Sequence, residues 1–175
     1  EPNMTLGRAN SFFLSFSEKI FCYSKNIKNF KRKYLEKIIE IDPLLRKEFY
    51  SFNKKKISND KINILIIGGS QGASFFNTEI RNAIIALSKK YKLKIYQQTN
   101  VSNFNNLKKL YSVNNIENEL FEFSENLSQF IDINFCITRA GASTLSELTF
   151  LKIPYLAIPY PLAKDNHQYY NALFY

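Results

Sequence analysis

The chain has 175 residues, 45% hydrophobic and 22% charged, a composition that reads as soluble and globular. It carries a net charge of +9, which suits anionic partners, although a lysine-rich solvated surface would give the same figure. Two isolated cysteines and a single histidine argue against a zinc site, and no apolar run nears the roughly 20 residues that a membrane span needs.

The first 60 residues are polar and hold +6 of the surplus charge. Glu1-Pro2-Asn3-Met4 has no signal-peptide character and reads as the middle of something longer. Gly7 to Ile20 suggests a loop leading into a short helix, with Phe12, Phe13, Phe16 and Ile20 on one face. Ile20–Tyr23 suits a short strand. Lys25–Lys37 is a basic run that fits a solvated loop or helix, Asp42-Pro43 opens a turn, and Ser51–Lys61 reads as an exposed linker.

From Ile62 the pattern changes to strands alternating with helices. Strands are predicted at Ile62–Ile67, Leu93–Gln97, Leu120–Phe123, Asn134–Thr138 and Tyr155–Ile158. Helices are predicted at Phe75–Tyr91, Asn103–Tyr111, Glu125–Ile131, Ser143–Phe150 and Asn166–Phe174. Apart from Asn63, Ile62–Ile67 is apolar, which suits a strand buried on both faces. This alternation predicts an α/β fold, a Rossmann-like parallel sheet with helices on both faces. Cys136, inside an apolar run, is expected to be a buried thiol.

Three strand-to-helix junctions carry the chemistry. In the first, Gly68-Gly69-Ser70-Gln71-Gly72-Ala73, bare backbone allows close approach of a ligand, and the following helix start offers N–H groups and partial positive charge. That combination favours phosphate over an empty tight turn. A P-loop would need Lys-Ser/Thr after Gly72, where Ala73-Ser74 stand. A dinucleotide fingerprint would need glycine at Ile67 and an acidic residue at the end of the second strand, where KIYQQTN has none. In the second junction, TRAGASTLSEL, Glu147 in the first helical turn suits a ribose diol, while Thr144-x-x-Glu147 equally fits a capping box. In the third, PYPLAKDNHQY, Asp165 or Asn166 suits an N-cap, which outweighs acid–base chemistry by His167 with Asp165. All three lie at carboxyl ends of parallel strands, where open α/β sheets bind ligands, and together they point to a nucleotide or diphosphate.

GGSQGA, TRAGASTLSEL and PYPLAKDNHQYYNA, in this order and spacing, resemble the MurG family of glycosyltransferases. The resemblance covers nearly the whole chain and is strongest from Ile62 to Ala172. It implies a two-domain GT-B fold, with residues 1–50 the tail of an N-terminal acceptor domain and interdomain segment. Residues 51–61 would then be a linker and 62–175 a UDP-sugar-binding domain cut short at its C-terminus. It implies transfer of N-acetylglucosamine from UDP-N-acetylglucosamine to an undecaprenyl-linked muramyl-pentapeptide, with inversion. Asn3, in a Glu-Pro-Asn that is similar to the family's Glu-Gln-Asn, would touch the donor sugar. Arg46, in Asp-Pro-Leu-Leu-Arg, resembles the arginine of the family's Asn-Pro-Val-Arg. Ser70, with Gly68, Gly69 and Gly72, would contact the diphosphate or sugar. Gly141, Ala142, Ser143, Thr144, Leu145 and Ser146 would wrap the phosphates with backbone N–H groups, and Glu147 would bind the ribose. The turn at Phe123-Ser124 would pair its backbone with uracil, and either His167 or Gln168 would bind the sugar hydroxyls.

The resemblance further implies no cofactor, and no metal site is expected. The general base would lie in the acceptor domain. The enzyme would sit in the cytoplasm, peripheral on the inner membrane, where the Lys25–Lys37 run could face anionic lipid. Nucleic acid is not an expected partner, because no aromatic–basic recognition motif is present. The rival readings are another GT-B enzyme such as a UDP-N-acetylglucosamine epimerase, a partner-dependent UDP-sugar-binding subunit of a split transferase, and an NAD-dependent dehydrogenase.

Overall fold

A computed structural model of the chain describes residues 1–50, 60–68, 75–122 and 132–175. The predicted helix Glu125–Ile131 and almost all of the predicted linker fall outside them.

The N-terminal part begins with a short helix, α1 (Arg8–Phe13), and two three-residue strands, β1 (Ile20–Cys22) and β2 (Ile38–Glu40), paired in parallel. Sequence reading missed β2, since three residues are too few to show a period. The helix is shorter than the shared apolar face suggested. Phe12, Phe13 and Phe16 are exposed, while Leu6, Leu14, Cys22, Ile27 and Ile38 form the small core here. The basic run is partly a 3₁₀ helix, Arg32–Lys37, and its last lysine is not free in solvent: Lys37 Nζ donates to the carbonyls of Leu14 and Ser17 at 3.0 and 2.6 Å. The four-residue helix α2 (Lys47–Tyr50) places Phe49 in the core of the larger sheet, not in the N-terminal core.

That larger sheet holds β3 (Ile62–Ile67), β4 (Leu93–Gln98), β5 (Glu117–Phe121), β6 (Phe135–Thr138) and β7 (Tyr155–Ala157), all parallel in the order β5-β4-β3-β6-β7. The alternating strands and helices are borne out. Helix α3 (Arg81–Ser88), preceded by a π-turn at Phe76–Ile80, and α4 (Val101–Val113) follow β3 and β4. Helix α5 (Ala142–Phe150) follows β6, and α6 (His167–Phe174) ends the chain. Along β3 the pleat sends Ile64 and Ile66 to one face, against Phe76, Ile84, Leu107 and Tyr111. Leu65 goes to the other, against Phe49, Cys136 and Leu148. Two covered faces explain the apolar run Ile64–Ile67. Strand β5 starts three residues before its prediction because Glu117 and Glu119, exposed on an edge strand, hide the pattern.

The strand order positions the site. Sequence runs outward from β3 to β4 to β5, then returns to place β6 on the other side of β3. The direction of winding therefore reverses between β3 and β6, the switch point at which open α/β sheets leave a crevice. The first and second junctions leave the carboxyl ends of these two neighbouring strands.

Candidate functional site

At the second junction, β6 ends at Thr138 and α5 starts at Ala142, with Gly141 as its N-cap in extended conformation and no side-chain capping bond. The first-turn N–H groups of α5 have no partner of their own within the helix, and the helix dipole adds partial positive charge there. Leu145 N–H is already bonded to the Gly141 carbonyl at 3.0 Å, so the backbone donors of the predicted Gly141–Ser146 wrap narrow to the residues up to Thr144. Leu145 is fully buried, and the Ser146 hydroxyl donates to the Ser143 carbonyl at 2.8 Å. Among the described residues, a Cβ on Gly141 would meet only Thr144 Oγ1, at 4.0 Å. The extended backbone of the turn does not require glycine.

The capping-box reading of Thr144-x-x-Glu147 fails. Thr144 is the third residue of α5 and Glu147 lies in its second turn. The Glu147 carboxylate, buried on the helix flank, instead accepts a 2.9 Å hydrogen bond from Arg46 Nη2, with side-chain exposures of 9% and 42%. Burial raises the Glu147 carboxyl above its ordinary value, and Arg46 offsets part of that shift. Arg46 also lies over the Phe49 ring, 5.4 Å from its centroid, so the core anchor of α2 fixes its stem.

At the third junction, Asp165 and Asn166 take left-handed backbone conformations, φ 54° and 50°, which short polar side chains tolerate. Neither caps α6 through its side chain. His167 Nδ1 donates to the Lys164 carbonyl at 2.8 Å, and the Asp165 carboxylate lies 4.0 Å from Arg8. These contacts give no sign of the His–Asp chemistry already disfavoured in the sequence. Gln168 ties two junctions together, its Oε1 accepting from Tyr160 N at 2.8 Å and Ala140 N at 3.2 Å. Both partners are N–H donors, which fixes the amide orientation and turns its NH₂ group away from them.

Two residues that sequence reading assigned no role bind the site together. Asn171, fully buried on α6, accepts from Met4 N at 2.9 Å and donates to Asn3 Oδ1 and to the Ala140 carbonyl at 3.0 and 3.1 Å. Arg139, between β6 and the Gly141 loop, donates through Nη1 to the carbonyls of Ile158 and Pro159 at 3.2 Å each. A signal existed for Arg139, since a charge directly after an apolar strand breaks the pattern. Asn171 gave none, because a polar residue on a short helix normally faces solvent.

The structure thus brings together Asn3, Arg46, Gly141, Ala142, Ser143, Thr144, Glu147 and Gln168 around the end of β6, and His167 at the start of α6. Gly68 is buried just past the end of β3. Gly69, Ser70, Gly72 and Ser124 lie outside the described residues. A separate open hollow, lined by Lys61, Lys92 and Glu117, sits at the amino ends of the strands, the rim opposite the junctions, and has none of these features. Among the described residues, no three His, Cys, Asp or Glu groups could share a metal ion, and no helix is long and apolar enough to cross a membrane.

Residues 63–174 match the model of the glycosyltransferase family 28 C-terminal domain. The chain belongs to glycosyltransferase family 28. It is 59% identical over 176 residues to a protein of Pelagibacter ubique (strain HTCC1062) and 42% identical over 178 residues to one of Rickettsia canadensis (strain McKiel). Both bear the name UDP-N-acetylglucosamine--N-acetylmuramyl-(pentapeptide) pyrophosphoryl-undecaprenol N-acetylglucosamine transferase. The alignments cover 100% and 98% of this chain but 49% and 50% of those proteins, so the chain spans about half the length of these family 28 relatives. The fold matches the crystal structure of Acinetobacter baumannii MurG with a TM-score of 0.73 at 24% identity, over 99% of this chain and 48% of that one. These relatives bear out the resemblance carried by the three motifs. Membership of family 28 sets aside the dehydrogenase reading.

Proposed function

We propose that this chain carries the donor half of an inverting N-acetylglucosaminyltransferase, which uses UDP-N-acetylglucosamine to glycosylate an undecaprenyl-linked muramyl-pentapeptide. The observation that carries this reading is the buried Glu147 carboxylate on the flank of a helix whose start lacks a side-chain cap, beside the sheet's switch point. One oxygen of Glu147 takes Arg46, and a carboxylate has acceptor capacity to spare for a ribose diol. The names of the Pelagibacter and Rickettsia relatives supply the substrates.

In this reading residues 62–175 form the UDP-sugar domain, residues 1–50 close the acceptor domain, and residues 51–61 link them. The first-turn N–H groups of α5, from Gly141 to Thr144, face the diphosphate together with the Gly68–Gly72 loop and Ser70. Glu147 binds the ribose, the backbone at Ser124 reads uracil, Asn3 and either His167 or Gln168 contact the sugar, and Arg46 lies near the donor. Attack of the muramyl 4-hydroxyl on C1 forms the new glycosidic bond and breaks the bond to UDP. Charge builds on the leaving diphosphate, and fixed N–H dipoles favour that state over the ground state. Each such donor is typically worth ~10²–10³ in rate. The base that takes the hydroxyl proton lies in the acceptor domain. No cofactor enters this scheme, and the enzyme acts at the cytoplasmic face of the inner membrane, where exposed Lys31, Arg32 and Lys33 suit anionic lipid.

Calorimetric titration with UDP-N-acetylglucosamine, UDP-glucose and NAD, repeated on Glu147→Ala, tests the proposal. Preference for the first ligand, lost in the variant, is the expected result. Preference for NAD would sink it.

A further inference from the structure

Arg139 is a buried cation without a counter-ion among the described residues. Its relative exposure is 8%, and among the described residues no carboxylate lies within ion-pair distance of it. Nη1 is held by the Ile158 and Pro159 carbonyls, and Nε is buried with no hydrogen-bond partner. The guanidinium carbon stands 4.7 Å from the Phe75 ring centroid, 5.0 Å from Phe76 and 5.5 Å from Tyr160. Its own backbone N–H donates to the Ile67 carbonyl at 3.2 Å, at the end of β3. Through its backbone and side chain together, this one residue therefore touches the flanks of all three junctions, at the carboxyl ends of β3, β6 and β7. Burial costs this group enough to lower its affinity for its proton, with Tyr160 acting the other way.

Buried charges are normally paired, and carbonyl dipoles and ring faces compensate a guanidinium only in part. Packing alone would be served as well by an apolar side chain of similar length. A charge kept at this cost has a use when an anion arrives, because its attraction is strong where water is excluded. We propose that Arg139 is a positioning residue for the diphosphate subsite: it locks the three junctions together and holds an unpaired buried charge whose field favours a bound diphosphate. This rests on the donor reading above. The guanidinium is already fixed by carbonyls and rings, so it acts through its field and through the loops it holds, adding to the N–H groups at the start of α5.

The test compares the whole protein with Arg139→Met and Arg139→Lys, measuring affinity for UDP and for uridine at low and high salt, with thermal melting alongside. Arg139→Met should weaken UDP by about tenfold or more while changing uridine by less than about threefold, because only UDP carries charge for the field to act on. Arg139→Lys should recover part of the UDP affinity. Equal losses of UDP and uridine affinity in both variants would make Arg139 a packing residue and overturn the proposal. Should the Met variant not fold, the wild-type protein decides by nitrogen-15 NMR: saturating inorganic pyrophosphate should shift the Arg139 Nε–H resonance, and an unmoved resonance overturns the proposal. Failure of the wild-type protein to bind UDP would remove the donor reading, and this proposal with it.

Discussion

Arg46 and Glu147, 101 residues apart in the chain, are joined by a 2.9 Å hydrogen bond between the segment preceding α2 and the flank of α5. Glu147 is the buried partner and Arg46 the half-exposed one, so the two ends are not equivalent. Arg46→Ala strands a buried carboxylate and should cost about 1–3 kcal/mol, less than breaking a fully buried pair because water screens the arginine side. Glu147→Gln keeps an acceptor for Arg46 and should cost less than about 1 kcal/mol. Urea unfolding of the two single variants and the double variant measures the coupling, and full additivity would contradict it.

The same carboxyl makes stability depend on pH with a defined sign. Burial raises its folded-state value above the ordinary 4.5, with Arg46 offsetting part. The folded state therefore keeps the proton longer than the unfolded chain, and this group's contribution is lost as pH rises through the raised value. Glu117 runs the opposite way, lowered chiefly by its bond to Lys61, so its contribution is lost as pH falls. Subtracting the stability profile of Glu147→Gln from that of wild type isolates the first effect. The difference should decline as pH rises above the ordinary carboxylate value and level off once the raised value is passed.

Gly141→Ala is expected to separate folding from the proposed binding. Its backbone is extended and a Cβ would make only ordinary contact with Thr144 Oγ1. Gly141→Ala should shift the melting temperature by no more than a few degrees, on the order of 0.5 kcal/mol. On the proposed donor reading, affinity for UDP-N-acetylglucosamine should fall at least about tenfold, since the new methyl would stand where that reading brings the diphosphate. Melting and titration of one preparation decide it.

Asn171 should behave as a structural knot. Replacing it by Leu removes the acceptor for Met4 N–H and the donor to the Ala140 carbonyl, leaving both unmet inside the protein. The expected loss is about 2–4 kcal/mol, together with faster hydrogen exchange at Met4.

A buried chain of side chains supports the turn after the glycine loop. Tyr111 Oη donates to Gln97 Oε1, Gln97 Nε2 to Asn77 Oδ1, and Asn77 Nδ2 to Thr99 Oγ1, linking α4 and β4 to the π-turn. Tyr111→Phe leaves Gln97 Oε1 without that donor and should cost about 1–2 kcal/mol by urea unfolding. π-Turns recur at functional sites, so donor affinity in this variant is worth measuring in the same experiment.

The amino-acid sequence by itself determined the class of fold and the places where chemistry gathers. Apolar runs such as Ile64–Ile67 suit a strand covered on both faces, and glycine-bearing exits from such strands show up as local departures from pattern. The family was legible for the same reason, since its three motifs are short and contiguous. Tertiary structure decided everything that depends on residues distant in sequence. It put β6 beside β3, moved Glu147 from the expected first turn to a buried flank against Arg46, and committed the Gln168 oxygen to two loop amides. It also buried Arg139 and Asn171, polar side chains whose partners come from three separate segments. No local pattern encodes such a partner, because a buried polar group is stable only once the fold has assembled the atoms that satisfy it.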